Sequence, residues 1–187
     1  EAVKSSTPAP CRVKIKEALK VIMTKDESAL IQFIDDFRVH FKKLQPEEIA
    51  YPRSCNNLKK YTSSKDIYQK SCPIHVRGAL LYNHQLKKRK LVKYEAVNEG
   101  DKIKFITLKE PNPLHENVIS FISTLPKEFD LHKYIDYDEQ FNKSFLEPLK
   151  FILNAINWNF VDYEKQIHRL KKAGSFNSLV CTPPRRL

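Results

Sequence analysis

Glycine is scarce in this chain, with three in 187 residues. Loops that cradle phosphate need glycine for left-handed backbone and close approach, and no P-loop, GxGxxG or GxSxG pattern occurs. No run of about 18 apolar residues is present to span a bilayer, and no signal peptide is seen. The four cysteines, Cys11, Cys55, Cys72 and Cys181, lack framework spacing, which suits reduced thiols better than disulfides. Cys55, Cys72, His75 and His84 include no CxxC pair to anchor zinc. Methionine is absent from the first position, which is Glu1, and this points to a trimmed chain or a fragment of a longer one.

Catalytic constellations are missing as well. Asp136 and Asp138 resemble paired metal-binding carboxylates, but they sit in a helical pattern, where residues two apart point in different directions. Asp35–Asp36 and Glu47–Glu48 read as solvated faces or helix-end charges. No Ser/His/Asp or Cys/His arrangement stands out, so no catalytic residue and no bound cofactor are assigned to this chain.

Positive charge is what the chain has in excess. The formal net charge is +11, and it is unevenly placed. Between Arg53 and Lys93 lie eleven basic residues and one acid, Asp66, which leaves +10. From Lys165 onward there are six basic residues and no acid, so the remainder of the chain is mildly acidic. Two basic segments on an acidic body point to a polyanion partner. The first segment also interleaves short donors. Asn56, Asn57, Lys59, Lys60 and Tyr61 come together in NNLKKY, and Lys70, His75 and Arg77 in KSCPIHVRG. Phosphate oxygens accept from amides and hydroxyls as readily as from lysine, so the mixture suggests a fixed track for a sugar-phosphate backbone.

Period and punctuation divide the chain into helices, a small sheet and further helices. Residues 1–10, with two prolines, form a lead-in. A helix over about 13–23 carries Ala18, Leu19, Ile22 and Met23 on one stripe, and TKDES then offers Asp26 or Ser28 as an N-cap. A second helix, to about residue 44, carries Leu30, Phe33, Ile34, Phe37, Phe41 and Leu44. The period then drops to two. IAYPR, IHVRGALLY, KIKFITL and NVISFI are strand candidates, with turns at 99–101 and 110–113. In the second candidate Ile74, Val76, Leu80 and Tyr82 share one face and His75 and Arg77 the other. From about residue 130 the helical period returns through Tyr134, Ile135, Asp138, Phe141, Phe145, Leu149, Ile152, Leu153 and Ile156, and Pro148 should kink or divide it. The class is α+β, built as an N-terminal helix pair, a small antiparallel sheet region and C-terminal helices.

At these residues the sequence resembles the C-terminal part, the thumb, of the family B DNA polymerases of T-even-like bacteriophages. EAVKSSTP, NNLKKY, CPIHVRGALLYN, YEAVNEGDKIKFITLKEPNP and LHKYIDYDEQFNKSFLEPLKFIL follow the family pattern in order, over about residues 1–165. The resemblance implies a lead-in from the palm over residues 1–10, a thumb over 11–163 and a basic tail over 164–187. It implies that Lys4, Ser5, Ser6, Asn56, Asn57, Lys59, Lys60, Tyr61, Lys70, His75 and Arg77 grip double-stranded primer-template DNA, with Gly78 letting the backbone come close. The family's catalytic carboxylates and its Mg2+ lie in the palm, outside this chain. The chain would then serve a palm, fingers and exonuclease chain, in the cytoplasm of an infected bacterial host. Phe176 and Leu179 are the only anchors in the tail for a sliding clamp. The competing reading is a free-standing, sequence-neutral nucleic-acid-binding protein.

Overall fold

A computed structural model describes residues 4–63 and 65–156. The chain forms two compact units, Glu1–Pro148 and Leu149–Leu187. The first begins with two helices, α1 (Ala9–Thr24) and α2 (Glu27–Phe41), as the patterning predicts. Pro8 and Pro10 set the start of α1, where a missing N–H costs nothing. Asp26 caps α2 by accepting the Ala29 N–H at 2.9 Å. The buried stripe of α1 is Cys11, Ile15 and Ala18, one turn earlier than predicted, and Met23 is exposed. The stripe of α2, Leu30, Ile34, Phe37 and Phe41, is the predicted one.

A short α3 (Pro46–Ile49) is closed by a capping box in which the Gln45 N–H donates to Glu48 at 2.9 Å. Its other acid, Glu47, accepts the Leu125 N–H at 2.9 Å, so both carboxylates are end charges. Three strands follow in the order β1 (Tyr51–Ser54), β2 (Lys102–Thr107) and β3 (Val118–Phe121), all antiparallel. Tyr51 lies opposite Phe105, which lies opposite Ser120. Between β1 and β2 come α4 (Leu58–Tyr61) and α5 (Ile74–Lys88).

Helix α5 corrects the strand reading of IHVRGALLY. The alternation that suggests a strand ends at Gly78. Ala79, Leu80, Leu81 and Tyr82 are then apolar without a break, and all four are buried. A half-buried strand would expose every second one. A helix wedged between two surfaces buries the run, and the helix formers Leu86, Lys87 and Lys88 extend it. Ile74, assigned to the apolar face, is instead exposed.

After β3 the chain passes through two 3-10 turns, Lys127–Phe129 and His132–Tyr134, the second of them where a helix is expected from about residue 130. Ile135 makes an isolated antiparallel bridge with Leu108, and only then does α6 (Tyr137–Phe141) begin. A π-helical turn, Asn142–Leu146, joins it to α7 (Glu147–Ala155). Pro148 explains the widening. It has no N–H for the Ser144 carbonyl, and its ring crowds that carbonyl, so the turn before it opens. Phe37, Phe41, Phe141 and Phe145 interlock between α2 and this segment, with ring centroids 4.8–5.8 Å apart. Each pair contributes about 0.5–1.5 kcal/mol beyond its burial. Gln140 is fully buried and satisfied: its amide donates to the Ile49 carbonyl at 2.7 Å and accepts from the Thr107 hydroxyl at 3.0 Å. In the second unit the described residues complete α7 and end at Ile156. The boundary expected at 163/164, and Phe176 and Leu179, lie outside the described residues.

Helix α5 comes close against β3. A Cβ at Gly78 would sit 2.4 Å from Ser120 Oγ and 2.8 Å from the Ser120 backbone nitrogen. Gly78 therefore brings the helix onto the strand, and the freedom expected of it at DNA is used inside the protein. Ser120 Oγ donates to the His75 carbonyl at 2.8 Å and fastens the contact. Gly78→Ala should destabilise the chain by about 2–3 kcal/mol, because overpacking against backbone outweighs the gain of roughly 1 kcal/mol in helix propensity. Urea unfolding measures this, and an unchanged or higher midpoint would show that the helix can move away from the strand.

Candidate nucleic-acid interface

The basic segment folds as a short helix followed by a hairpin-like loop. Asn56, Asn57, Lys59 and Lys60 are exposed, and Tyr61 is half-buried with the Lys60 ammonium 5.5 Å from its ring centre. Thr62 and Tyr68 form an antiparallel bridge, and the Gln69 N–H donates to the Tyr61 carbonyl at 2.9 Å. Ser63 Oγ accepts the N–H groups of Lys65 and Asp66 and tightens the tip. Lys59, Lys65 and Lys70 are exposed, and their side chains make no hydrogen bond or ion pair with described residues. Lys4 and Ser5 are exposed and Ser6 is half-buried, while the Lys4 carbonyl accepts the Thr7 N–H at 3.0 Å.

Two acids from outside the segment, Glu99 and Glu116, are bonded to groups other than these lysines. Glu99 accepts the backbone N–H of Asn57 with one oxygen and that of Leu58 with the other, the latter at 2.8 Å. Asn57 sits in the left-handed region, φ +63°, which aims both N–H groups at the carboxylate. The turn carrying Glu99 also clasps Cys55: the Gly100 N–H donates to the Cys55 carbonyl and the Cys55 N–H to the Asp101 carbonyl, both at 2.8 Å. Gly100, at φ +85°, makes that turn possible. Upstream, Asn83 of α5 exchanges two 2.8 Å hydrogen bonds with the backbone of Val97. Helix α5 thus positions Val97, the 99–101 turn follows, and Glu99 holds the start of α4. Sequence reading missed Glu99 because its partner lies 42 residues away; its place in an EGD turn was the only visible cue.

Arg77 is engaged within the protein. Its Nη2 donates to Asn117 Oδ1 at 2.6 Å, its Nε lies 3.8 Å from a Glu116 oxygen, and its guanidinium stands over the Tyr68 ring at 5.7 Å. The Tyr68 hydroxyl donates to the same Glu116. Burial, and then the neighbouring Glu116 carboxylate, push that hydroxyl's pKa up. Arg77 therefore ties α5 to the hairpin and to the loop before β3. His75 is half-buried 6.2 Å from the Phe105 ring, and Phe105 stacks on Tyr51 at 5.2 Å. Burial, with Arg53 nearby, holds His75 below its ordinary 6.5, so it is neutral at pH 7 and brings no charge. On a helix, His75 and Arg77 do not share a face as they would on a strand.

The considered carboxylates and thiols have structural partners. Asp136 caps α6 by accepting the Glu139 N–H at 3.0 Å, and Asp138 pairs with Lys42, the residue after α2, at 2.8 Å. Hydrogen bonding from Lys42 lowers the Asp138 pKa. Burial pushes the thiols of Cys11 and Cys55 up to about 11. Among the described residues no three His, Cys, Asp or Glu side chains converge as a metal site, and no helix is long and apolar enough to cross a membrane.

Against known proteins, no family-wide profile matches. The chain is similar to the DNA-directed DNA polymerase of Enterobacteria phage T4, 28% identical over 170 residues, and to that of Escherichia phage RB69, 32% identical over 171. Both alignments cover 89% of this chain and 18% of the relative. The chain thus spans about a fifth of the length of these relatives and is similar to a segment of them.

Glu99→Ala removes the acceptor of two backbone N–H groups. It should cost about 1–2 kcal/mol, less than two buried charge-assisted bonds because water reaches the site. Glu99→Gln, which keeps one acceptor oxygen, should recover part of this. Urea unfolding of the two variants checks it, and wild-type stability in Glu99→Ala would show that α4 is held by other means.

Proposed function

We propose that this chain is the thumb of a T-even-like phage replicative DNA polymerase of family B, and that it grips primer-template duplex by its backbones without reading sequence. The observation that carries the reading is the α4–hairpin segment. It presents Lys59, Lys60, Lys65 and Lys70 unpaired, while Glu99 and Glu116 are turned onto backbone amides, Tyr68 and Arg77. Exposed cations among Asn56, Asn57 and Tyr61 suit phosphate oxygens, and such contacts fix register without specifying bases. Lys4, Ser5 and Ser6 would extend the track where the chain leaves the palm. Arg77 and His75 would contribute indirectly: Arg77 braces the hairpin, and neutral His75 packs on Phe105 of β2.

Nucleotide transfer itself falls to a palm-bearing part of the polymerase. Two Mg2+ ions held by palm carboxylates would align the 3′-hydroxyl and the triphosphate there. Asp136 and Asp138 are a helix cap and an ion-pair partner, so these two carboxylates are not such a pair. Its role is positional, because a displacement of about 1 Å at a reacting atom can cost on the order of a hundredfold in rate. The setting is viral DNA replication in the cytoplasm of an infected bacterium. Phe176 and Leu179 would be the anchors of a clamp-docking tail.

Salt dependence tests the grip. Each phosphate neutralised contributes about −0.9 to the slope of log affinity against log salt. Lys59→Ala/Lys60→Ala should flatten the slope by about 2, uniformly across duplex sequences. Primer extension tests the assignment. The chain alone should incorporate nothing at any Mg2+ concentration, and mixed with a palm and fingers chain it should lengthen the product made per binding event. Incorporation by this chain alone, abolished by Asp136→Asn or Asp138→Asn, would overturn the reading. Failure to complement would favour a free-standing binding protein.

A further inference from the structure

Helix α5 ends in a second basic surface that the proposed track does not include. Lys87, Lys88, Arg89 and Lys90 close the helix, and Lys93 follows. Two of these five are engaged: Arg89 donates to Gln85 at 3.1 Å and to the Glu128 carbonyl, and Lys93 pairs with the Glu128 carboxylate. Lys87, Lys88 and Lys90 are exposed, and their side chains make no hydrogen bond or ion pair with described residues. The backbone there adds an independent observation. The Leu91 N–H donates to the Leu86 carbonyl at 3.0 Å and the Lys90 N–H to the Lys87 carbonyl at 3.2 Å, a Schellman closure that places Lys90 at φ +55°. That position favours glycine, since a Cβ is strained in left-handed backbone. Favourable charge at a helix C-terminus accounts for Lys87 and Lys88. It does not account for a lysine held in strain at the one position where glycine is the ordinary residue, with its ammonium unpaired.

We propose that Lys87, Lys88 and Lys90 form a second phosphate-binding surface, which takes the backbone of duplex DNA at a point separate from the α4–hairpin track. The hairpin meets the first turn of α5, where the Tyr68 ring lies against Arg77, and these lysines close the last. Fifteen residues at 1.5 Å each make the helix about 22 Å long, or roughly 6–7 base pairs of duplex. The rigid helix fixes that spacing, so a duplex long enough to reach both ends is held at two points and cannot pivot about one. The proposal rests on the duplex-gripping reading above.

Titration of the full chain with a 30-base-pair duplex over a range of salt tests it, with four variants beside the wild type. Lys87→Ala/Lys88→Ala/Lys90→Ala should flatten the salt slope by about 2–3. Lys16→Ala/Lys20→Ala/Lys25→Ala removes the same charge from exposed positions of α1 and its end, and should leave the slope unchanged. Lys90→Gly should raise Tm by a few degrees and flatten the slope by about 1, opposite effects that a purely structural lysine would not produce. If the α5 triple variant keeps the wild-type slope, if the α1 variant flattens it equally, or if Lys90→Gly leaves it unchanged, the second surface is overturned. Lys59→Ala/Lys60→Ala separates the two claims. If it flattens the slope while the α5 variant does not, the track stands and this surface falls; if neither variant changes the slope, both fall.

Discussion

Helix α5 lies on β3 with no room for a side chain at Gly78, and the rest of the interface is hung from that contact. The Ser120 hydroxyl and backbone stand where a Cβ would be, and the hydroxyl is bonded to the His75 carbonyl. The approach fixes the helix in height and rotation. Arg77, one residue before the contact, thereby reaches Glu116, Asn117 and the Tyr68 ring. Asn83, farther along, meets the Val97 backbone, two residues ahead of Glu99. Both braces of the basic segment, one on α4 and one on the hairpin, thus run back to one helix seated on one strand.

Electrostatics within the segment follow from where the acids are spent. A carboxylate beside a lysine would neutralise it and compete with phosphate. Glu99 instead satisfies two backbone amides, and Glu116 takes the Tyr68 hydroxyl and Arg77. These carboxylates stabilise the local fold and are bonded to groups other than the exposed lysines. The arrangement costs little, since surface ion pairs would have contributed about 0–1 kcal/mol each.

Much of the fold is legible in the sequence, and the failures have physical causes. The α2 stripe, the Asp26 cap, β2, β3 and the α+β class follow from period and capping chemistry alone. Helix α5 does not, because Val76 and Leu80 satisfy a strand period and a helical one at once, and only the unbroken run at 79–82 separates them. Pro148 was recognised as a break, but its effect, a π-helical turn before it, depends on the Ser144 carbonyl one turn back. The basic segment was legible as charge. Which of its members are free was not: Arg77 is occupied by Glu116 and Asn117, some 40 positions away, and local spacing cannot show that.

The central claim is that duplex phosphates meet the α4–hairpin lysines. A lysine-modification footprint measures this most directly: the chain is labelled with an amine-reactive reagent, free and bound to primer-template duplex, and each site is quantified by mass spectrometry. The account predicts that Lys59, Lys60, Lys65 and Lys70 are protected on binding, while Lys16 and Lys20 of α1 react as in the free chain. Equal reactivity of the four in both states, with protection confined to other lysines, would contradict it.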